Sequence, residues 1–208
     1  MIDPDSLMNF WFGQACESPA AALERSSFWF GNDPAVDQQI WELYADTVTD
    51  AGAGHYADWA ESAHGRLALI LLLDQFPRNI YRGTAEVFRY DAKALTLAGQ
   101  GITLGQLAGL TVPEQAFFLM PYQHSEDVAV QNAGVALYSA MVEEAAPEWR
   151  DVAAGYRDFA IQHRDIIVEY GRFPHRNSVL GRASTAAEDG YLAGGGATFG
   201  QAGQGNAR

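Results

Sequence analysis

The chain has 208 residues, enough for one domain with a sizeable core, and its hydrophobic (48%) and aromatic (12%) content is that of a folded protein, not a disordered one. A formal net charge of −13 argues against nucleic acid and anionic membranes as partners, because both demand a basic footprint. The longest clean apolar run, 67–73, is too short to span a bilayer. The acidic start at residues 1–5 lacks the basic-then-apolar pattern of a signal peptide, and the lone Cys16 offers neither a disulfide nor a thiolate metal site, so the expectation is a cytoplasmic protein.

Helix signals dominate and strand alternation is absent. Asp3-Pro4, Ser18-Pro19 and Asp33-Pro34 each read as an N-cap with proline in the first turn. The first two helices end in the same four residues, Phe10-Trp11-Phe12-Gly13 and Phe28-Trp29-Phe30-Gly31, whose aromatics read as core. A third helix is expected over 34–51. Short helical material from Tyr56 leads into an apolar helix that should stop near Phe76-Pro77, followed by one over 85–99. Thr111-Val112-Pro113-Glu114 is a capping box for a short helix stopped by Pro121, and Ser125 is the expected cap of a helix running to Ala145. The next helix opens at Pro147, carries a seam of Trp149, Val152, Tyr156, Phe159, His163, Ile166 and Tyr170, and ends at Gly171. Thr185 to Glu188 form a second capping box. Residues 1–193 are thus read as a single all-α domain and 194–208 as a flexible Gly-rich tail. The tight connection near Ala146 makes its two flanking helices a hairpin, in which Gln131 and His163 should be neighbours.

Helices joined by short connections alternate in direction, which should bring three polar segments to one end of the molecule: 74–79, 120–127 and 171–177. The basic residues are twelve Arg against only Lys93. Segments 74–86 and 171–188 hold Arg78, Arg82, Arg172, Arg176 and Arg182 against Asp74, Glu86 and Glu188, a net positive patch in an acidic chain. With Asn79 and Asn177 these arginines are the candidate ligand-binding residues for a small anion, helped by nearby helix N-termini. The competing reading is that they clamp helix ends and pair with acids. His124, His163 and His175 are the candidate acid–base groups. No HExxH or Glu-x-x-His pair occurs, so no metal is assigned, and no cofactor motif is found. Segments 76–86 and 173–188 also resemble each other: Phe-Pro, then Arg-Asn, then Arg, a hydroxyl residue and Glu.

The stretches 72–85 (LLDQFPRNIYRGTA), 120–127 (MPYQHSED) and 171–185 (GRFPHRNSVLGRAST), with the opening Phe-Trp-Phe-Gly, resemble a bacterial family described as domain of unknown function 924. The resemblance spans about residues 7–192 and implies a right-handed array of antiparallel helical hairpins, a TPR-like α-α superhelix. It implies no activity. One position departs from the family pattern, Gln115-Ala116 standing where an arginine is expected. Two functions stay open: a pocket or enzyme for a small anionic molecule at the Arg/His-rich end, and a TPR-like module binding a peptide.

Overall fold

The computed structural model describes residues 2–200, and among them the chain is all-helical, with no strand. The N-caps act as their residue types dictate. Asp3 accepts from the Ser6 amide and starts α1 (Pro4–Phe12); Ser18 accepts from Ala21 and starts α2 (Pro19–Phe30); Asp33 accepts from Ala35 and starts α3 (Pro34–Ala53). In each case proline sits in the first turn, where its missing N–H costs nothing. Helix α3 runs past Gly52 and is closed by Gly54, whose φ of 97° only glycine adopts freely.

The largest departure from the sequence-based expectation is at Pro77. The apolar helix does not stop there. Ala63–Ile70 (α4) passes into a π-helical turn, Leu71–Gln75, and continues as α5 (Phe76–Ile80). A proline at 77 has no N–H and would press its ring on the carbonyl four residues back. The π turn widens the helix just before it, with the Phe76 amide reaching five residues back to Leu71 O, so the chain absorbs the proline without breaking. Asp74 and Gln75 therefore lie inside a fully buried helical segment and not on an exit loop. Pro121 likewise fails to stop its helix: α7 runs Val112–His124.

A 3-10 turn at Ala85–Phe88 precedes α6 (Asp91–Thr103). Helix α8 (Val128–Glu144) is capped by Asp127, not Ser125: one Asp127 oxygen accepts from Ala129 N at 2.7 Å and Val130 N at 3.2 Å, while Ser125 Oγ accepts from the Asp127 amide. Helix α9 (Arg150–Tyr170) packs along α8 as the expected hairpin, but Gln131 and His163 are not paired. Gln131 donates to the carbonyls of Gln123 and Ser125, and His163 Nδ1 meets Phe159 O at 2.8 Å, so each finds backbone nearer than the other side chain. Gly171 closes α9 at φ 70°, and the Thr185–Glu188 capping box opens α10 (Ala186–Ala193).

The core forms where α1, α2, α3, α4 and α7 meet, around fully buried Trp11, Phe76, Phe117 and Phe118. Both Phe-Trp-Phe-Gly segments belong to it, with one difference: Trp29 is buried, but Phe30 is half exposed. Among the described residues no helix is long and apolar enough to cross a membrane. Up to residue 200 the Gly-rich segment folds back on the body. The Gly196 amide donates to Tyr191 O, and a Cβ at Gly196 would fall 2.4 Å from the Tyr191 ring, so any larger residue there would displace that ring. The rest of the expected tail, 201–208, lies outside the described residues.

Candidate functional site

The three polar segments do meet. Asp74 of the π turn lies 2.7 Å from His124 at the end of α7, and Glu126 just after α7 accepts from the Phe173 amide and from both ends of the Arg182 guanidinium. Beside this junction is a cavity of about 350 Å³. Its polar wall includes Gln75, Arg78, Asn79, Arg82, His124 and His163; its apolar wall comes from the end of α2 and the middle of α9, chiefly Trp29, Phe30 and Phe159.

The buried centre of the polar wall is Asp74, 0% exposed. Its Oδ1 takes His124 Nδ1 at 2.7 Å and Arg78 Nη2 at 3.2 Å, while Oδ2 accepts from Gln75 Nε2. Burial alone would raise the Asp74 carboxyl, but facing His124 and Arg78 outweigh it and hold the group below the usual carboxylate range. A carboxylate oxygen can only accept, so His124 carries its neutral-state proton on Nδ1 and its lone pair on Nε2. Burial, reinforced by Arg78, lowers the His124 pKa, which keeps the ring neutral near pH 7 and able to accept a proton. The arrangement is an Asp–His pair whose histidine lines a mainly apolar cavity, with the carboxylate buried behind it.

Arg78 also meets Asp91 Oδ1 at 2.9 Å, so one guanidinium bridges two carboxylates. Arg82 forms a fork on Asp37, at 2.7 and 2.9 Å, and its remaining nitrogen Nη1 donates to Asn32 Oδ1 at 3.0 Å and to Gly200 O at 2.9 Å. Asn79 donates to the same Asp37 carboxylate at 2.8 Å. His163 is buried, and desolvation together with His124 pushes its pKa well below the ordinary value. Its ring lies flat on Phe199, 3.6 Å between centroids and 17° between planes.

The remaining candidates are near this cavity but do not line it. Arg176 is buried between Phe88 and Phe173, its guanidinium carbon 4.4 Å from each ring centre, with Asp91 3.9 Å away. Burial and the neighbouring Arg78 lower its pKa to about 10. His175 packs against Phe173 and Phe199, and burial with Arg176 depresses its pKa to about 3. Arg172 forks onto Glu188 at 2.6 and 2.8 Å and caps the Ala183 carbonyl. Asn177 links Arg182 to Ser184, and Arg182 also caps the Phe173 carbonyl. These last three are clamps between α9, the 173–185 loop and α10. Among the described residues no group of three or more His, Cys, Asp or Glu side chains is disposed to hold a metal ion.

Acids complete the arginine layer in a way the sequence pattern hid. Asp37, Asp74 and Asp91 stand against Arg78, Arg82 and Arg176, three charges of each sign. The positive excess counted along segments 74–86 and 171–188 is more than cancelled by Asp37, Asp91 and Glu126, which come from other parts of the chain. Trp29, Phe30, Asn32 and Phe199 were also not read as site residues; the one available signal was the second Phe-Trp-Phe-Gly being followed at once by a polar Asn32.

No curated protein matches the chain. A solved structure titled as a protein of unknown function, ATU0120, from Agrobacterium tumefaciens is similar at 36% identity with a TM-score of 0.71, over 79% of this chain and 87% of that one. The family model described as "Bacterial protein of unknown function (DUF924)" matches residues 7–196, and the chain belongs to that family.

Proposed function

We propose that the cavity binds a small organic molecule, with an oxyanion or carbonyl group of the ligand directed to the guanidinium edge and the Asp74–His124 pair serving as its acid–base group. The observation that carries this reading is the 2.7 Å contact between a fully buried carboxylate and a histidine that lines a 350 Å³ cavity. A cavity of that size, mainly apolar with a few convergent polar groups and shifted titratable residues, is what small-molecule sites have in common. The charge balance of the arginine layer narrows the anion expected from the sequence: a single carboxylate or a polarised carbonyl suits it better than a polyanion. A cytoplasmic setting goes with a lone thiol that burial raises to about pKa 11, which is unreactive at neutral pH. The alternative, a TPR-like array holding a peptide along its length, has less support, because the polar groups gather at one junction instead of along helix faces.

The test is a thermal-shift screen of small carboxylic acids and carbonyl compounds on the full chain. A hit raises the melting temperature by mass action, and its shift should vanish in Arg82→Leu and persist in His124→Gln, which should instead abolish any turnover. Hits indifferent to both substitutions would place binding elsewhere and sink the proposal.

A further inference from the structure

Part of the cavity wall is made by the chain's own Phe199-Gly200. The Phe199 ring lies flat on His163 at 3.6 Å and edge-on to Phe173 at 6.3 Å, and both Phe199 and Gly200 line the cavity. The next carbonyl, Gly200 O, takes the one Arg82 nitrogen that the Asp37 fork leaves over, at 2.9 Å. A flat ring on one wall and an acceptor oxygen on the other are thus both satisfied by two consecutive residues.

The way this segment is held makes it displaceable. Phe199 sits at φ 48°, a left-handed conformation that residues with a Cβ disfavour, and such strain persists only where the surroundings impose it. Gly200 follows at φ 74°, where a Cβ would come within 3.3 Å of Asn32 Oδ1, so the close approach to Asn32 and Arg82 favours glycine. One stack on His163, edge contacts with Phe173 and His175 and one hydrogen bond hold the docked residues, against the ordering of a Gly-rich segment. A free ligand offering the same two groups without the strain competes with it.

Resting on the cavity reading above, we propose that the ligand is a flat aromatic ring carrying a carboxylate or carbonyl oxygen, and that Phe199-Gly200 is the intramolecular stand-in it displaces. The ring takes the His163 face and the oxygen takes Gly200's place on Arg82. His163, kept neutral by its burial, stacks on such a ring without needing a charge on it.

Calorimetric titration of the full-length protein with phenylacetate, cyclohexylacetate and acetate tests this, with Phe199→Ala as the variant and its melting curve as the folding check. Removing the stand-in should tighten phenylacetate binding about tenfold, equivalent to about 1.4 kcal/mol, because the open state no longer has to be won from the docked one. Cyclohexylacetate, with the same charge but no flat ring, should bind Phe199→Ala at least tenfold more weakly, and acetate should not be detected. Equal phenylacetate affinity in both proteins, lost in Arg82→Leu, overturns the stand-in and leaves the cavity proposal intact. Cyclohexylacetate binding as well as phenylacetate overturns the aromatic class alone. If phenylacetate binds neither protein while the screen yields an Arg82-dependent hit of another kind, this inference fails and the cavity stands. No hit of any kind removes both.

Discussion

Segments 76–86 and 173–188 begin with nearly the same words and end in different employment. Each places an arginine against Asp91, Arg78 at 2.9 Å and Arg176 at 3.9 Å. Each follows with an asparagine and a second arginine that forks onto a carboxylate from elsewhere, Asp37 for Arg82 and Glu126 for Arg182. The difference lies in what precedes Phe-Pro. In the first segment the helix continues through a π turn, which supplies Asp74 from within and leaves Arg78 and Arg82 on a cavity wall. In the second the helix ends at Gly171, which stands where the first segment has Asp74, and Arg176 is held by two aromatic rings while Arg182 and Arg172 tie down loop and helix ends. One pattern therefore serves as a site wall or as a clamp according to how the helix before it terminates.

The largest effect should come from Asp74, the acid that only the first segment has. Asp74→Ala leaves Arg78 its Asp91 contact and takes from His124 the carboxylate it faces, at a fully buried position. We expect a loss of about 3–5 kcal/mol in chemical denaturation, the usual cost of breaking a buried pair from one side. A loss under about 1 kcal/mol would show that the centre is hydrated and that Asp74 organises nothing.

Arg176 tests the second segment's substitute for that acid. Arg176→Lys keeps the charge but cannot lie flat between Phe88 and Phe173, and should cost about 2 kcal/mol. Because Arg176 does not line the cavity, ligand affinity should follow stability only through partial unfolding and otherwise stay put.

The histidines give the comparison a pH axis. His124, His163 and His175 all have folded-state pKa values below the ordinary 6.5, His175 at about 3. As pH falls through 6.5 the unfolded chain takes up protons that the folded chain refuses, so stability is full above that pH and declines below it, by up to about 1.4 kcal/mol per pH unit for each histidine. His175 is the one that belongs to the second segment and has no counterpart in the first. It faces Arg176 and Arg78, which oppose its protonation, and Glu126, which favours it. His175→Gln should flatten the denaturation slope between pH 6 and pH 4.5 by about one proton's worth. An unaltered slope would mean that His175 protonates in the folded protein and is less buried than its packing against Phe173 implies.

Much of the scaffold was legible in the sequence because helix caps are local. Asp3, Ser18, Asp33, Thr111 and Thr185 each act within four residues, and each was placed correctly. Proline was misread at 77 and 121 for the same locality: it marks a lost hydrogen bond, but whether the helix ends or widens depends on the packing of Leu71 to Gln75 in the core. Arg78, Arg82, His124 and His163 were found as unusual residue types in unusual places. Their partners Asp37 and Asp91 were not, since an acid in a first turn is already explained by the helix dipole. Phe199 was hidden by its neighbours, because a Gly-rich composition predicts freedom while one aromatic ring and one returning turn suffice to dock it.

The smallest predicted effect separates clamp from wall most sharply. Arg172 sits on the surface side of the second segment, forking onto Glu188, which is itself fixed by the Thr185 amide of the capping box. Arg172→Lys replaces two parallel hydrogen bonds with a point charge, while Glu188 keeps its Thr185 contact. The melting temperature should fall only slightly, because the fork lies at the solvent edge and is screened by water. Nothing in that change reaches Asp37, Asn32 or the Gly200 carbonyl, so the shift given by a cavity ligand should be the same size as in the unsubstituted protein. Arg82→Lys supplies the contrast: it loses the same kind of fork, on Asp37, and should lose the ligand shift with it. If Arg172→Lys also weakened the ligand shift, the two segments would be one coupled site, and their division into wall and clamp would fail.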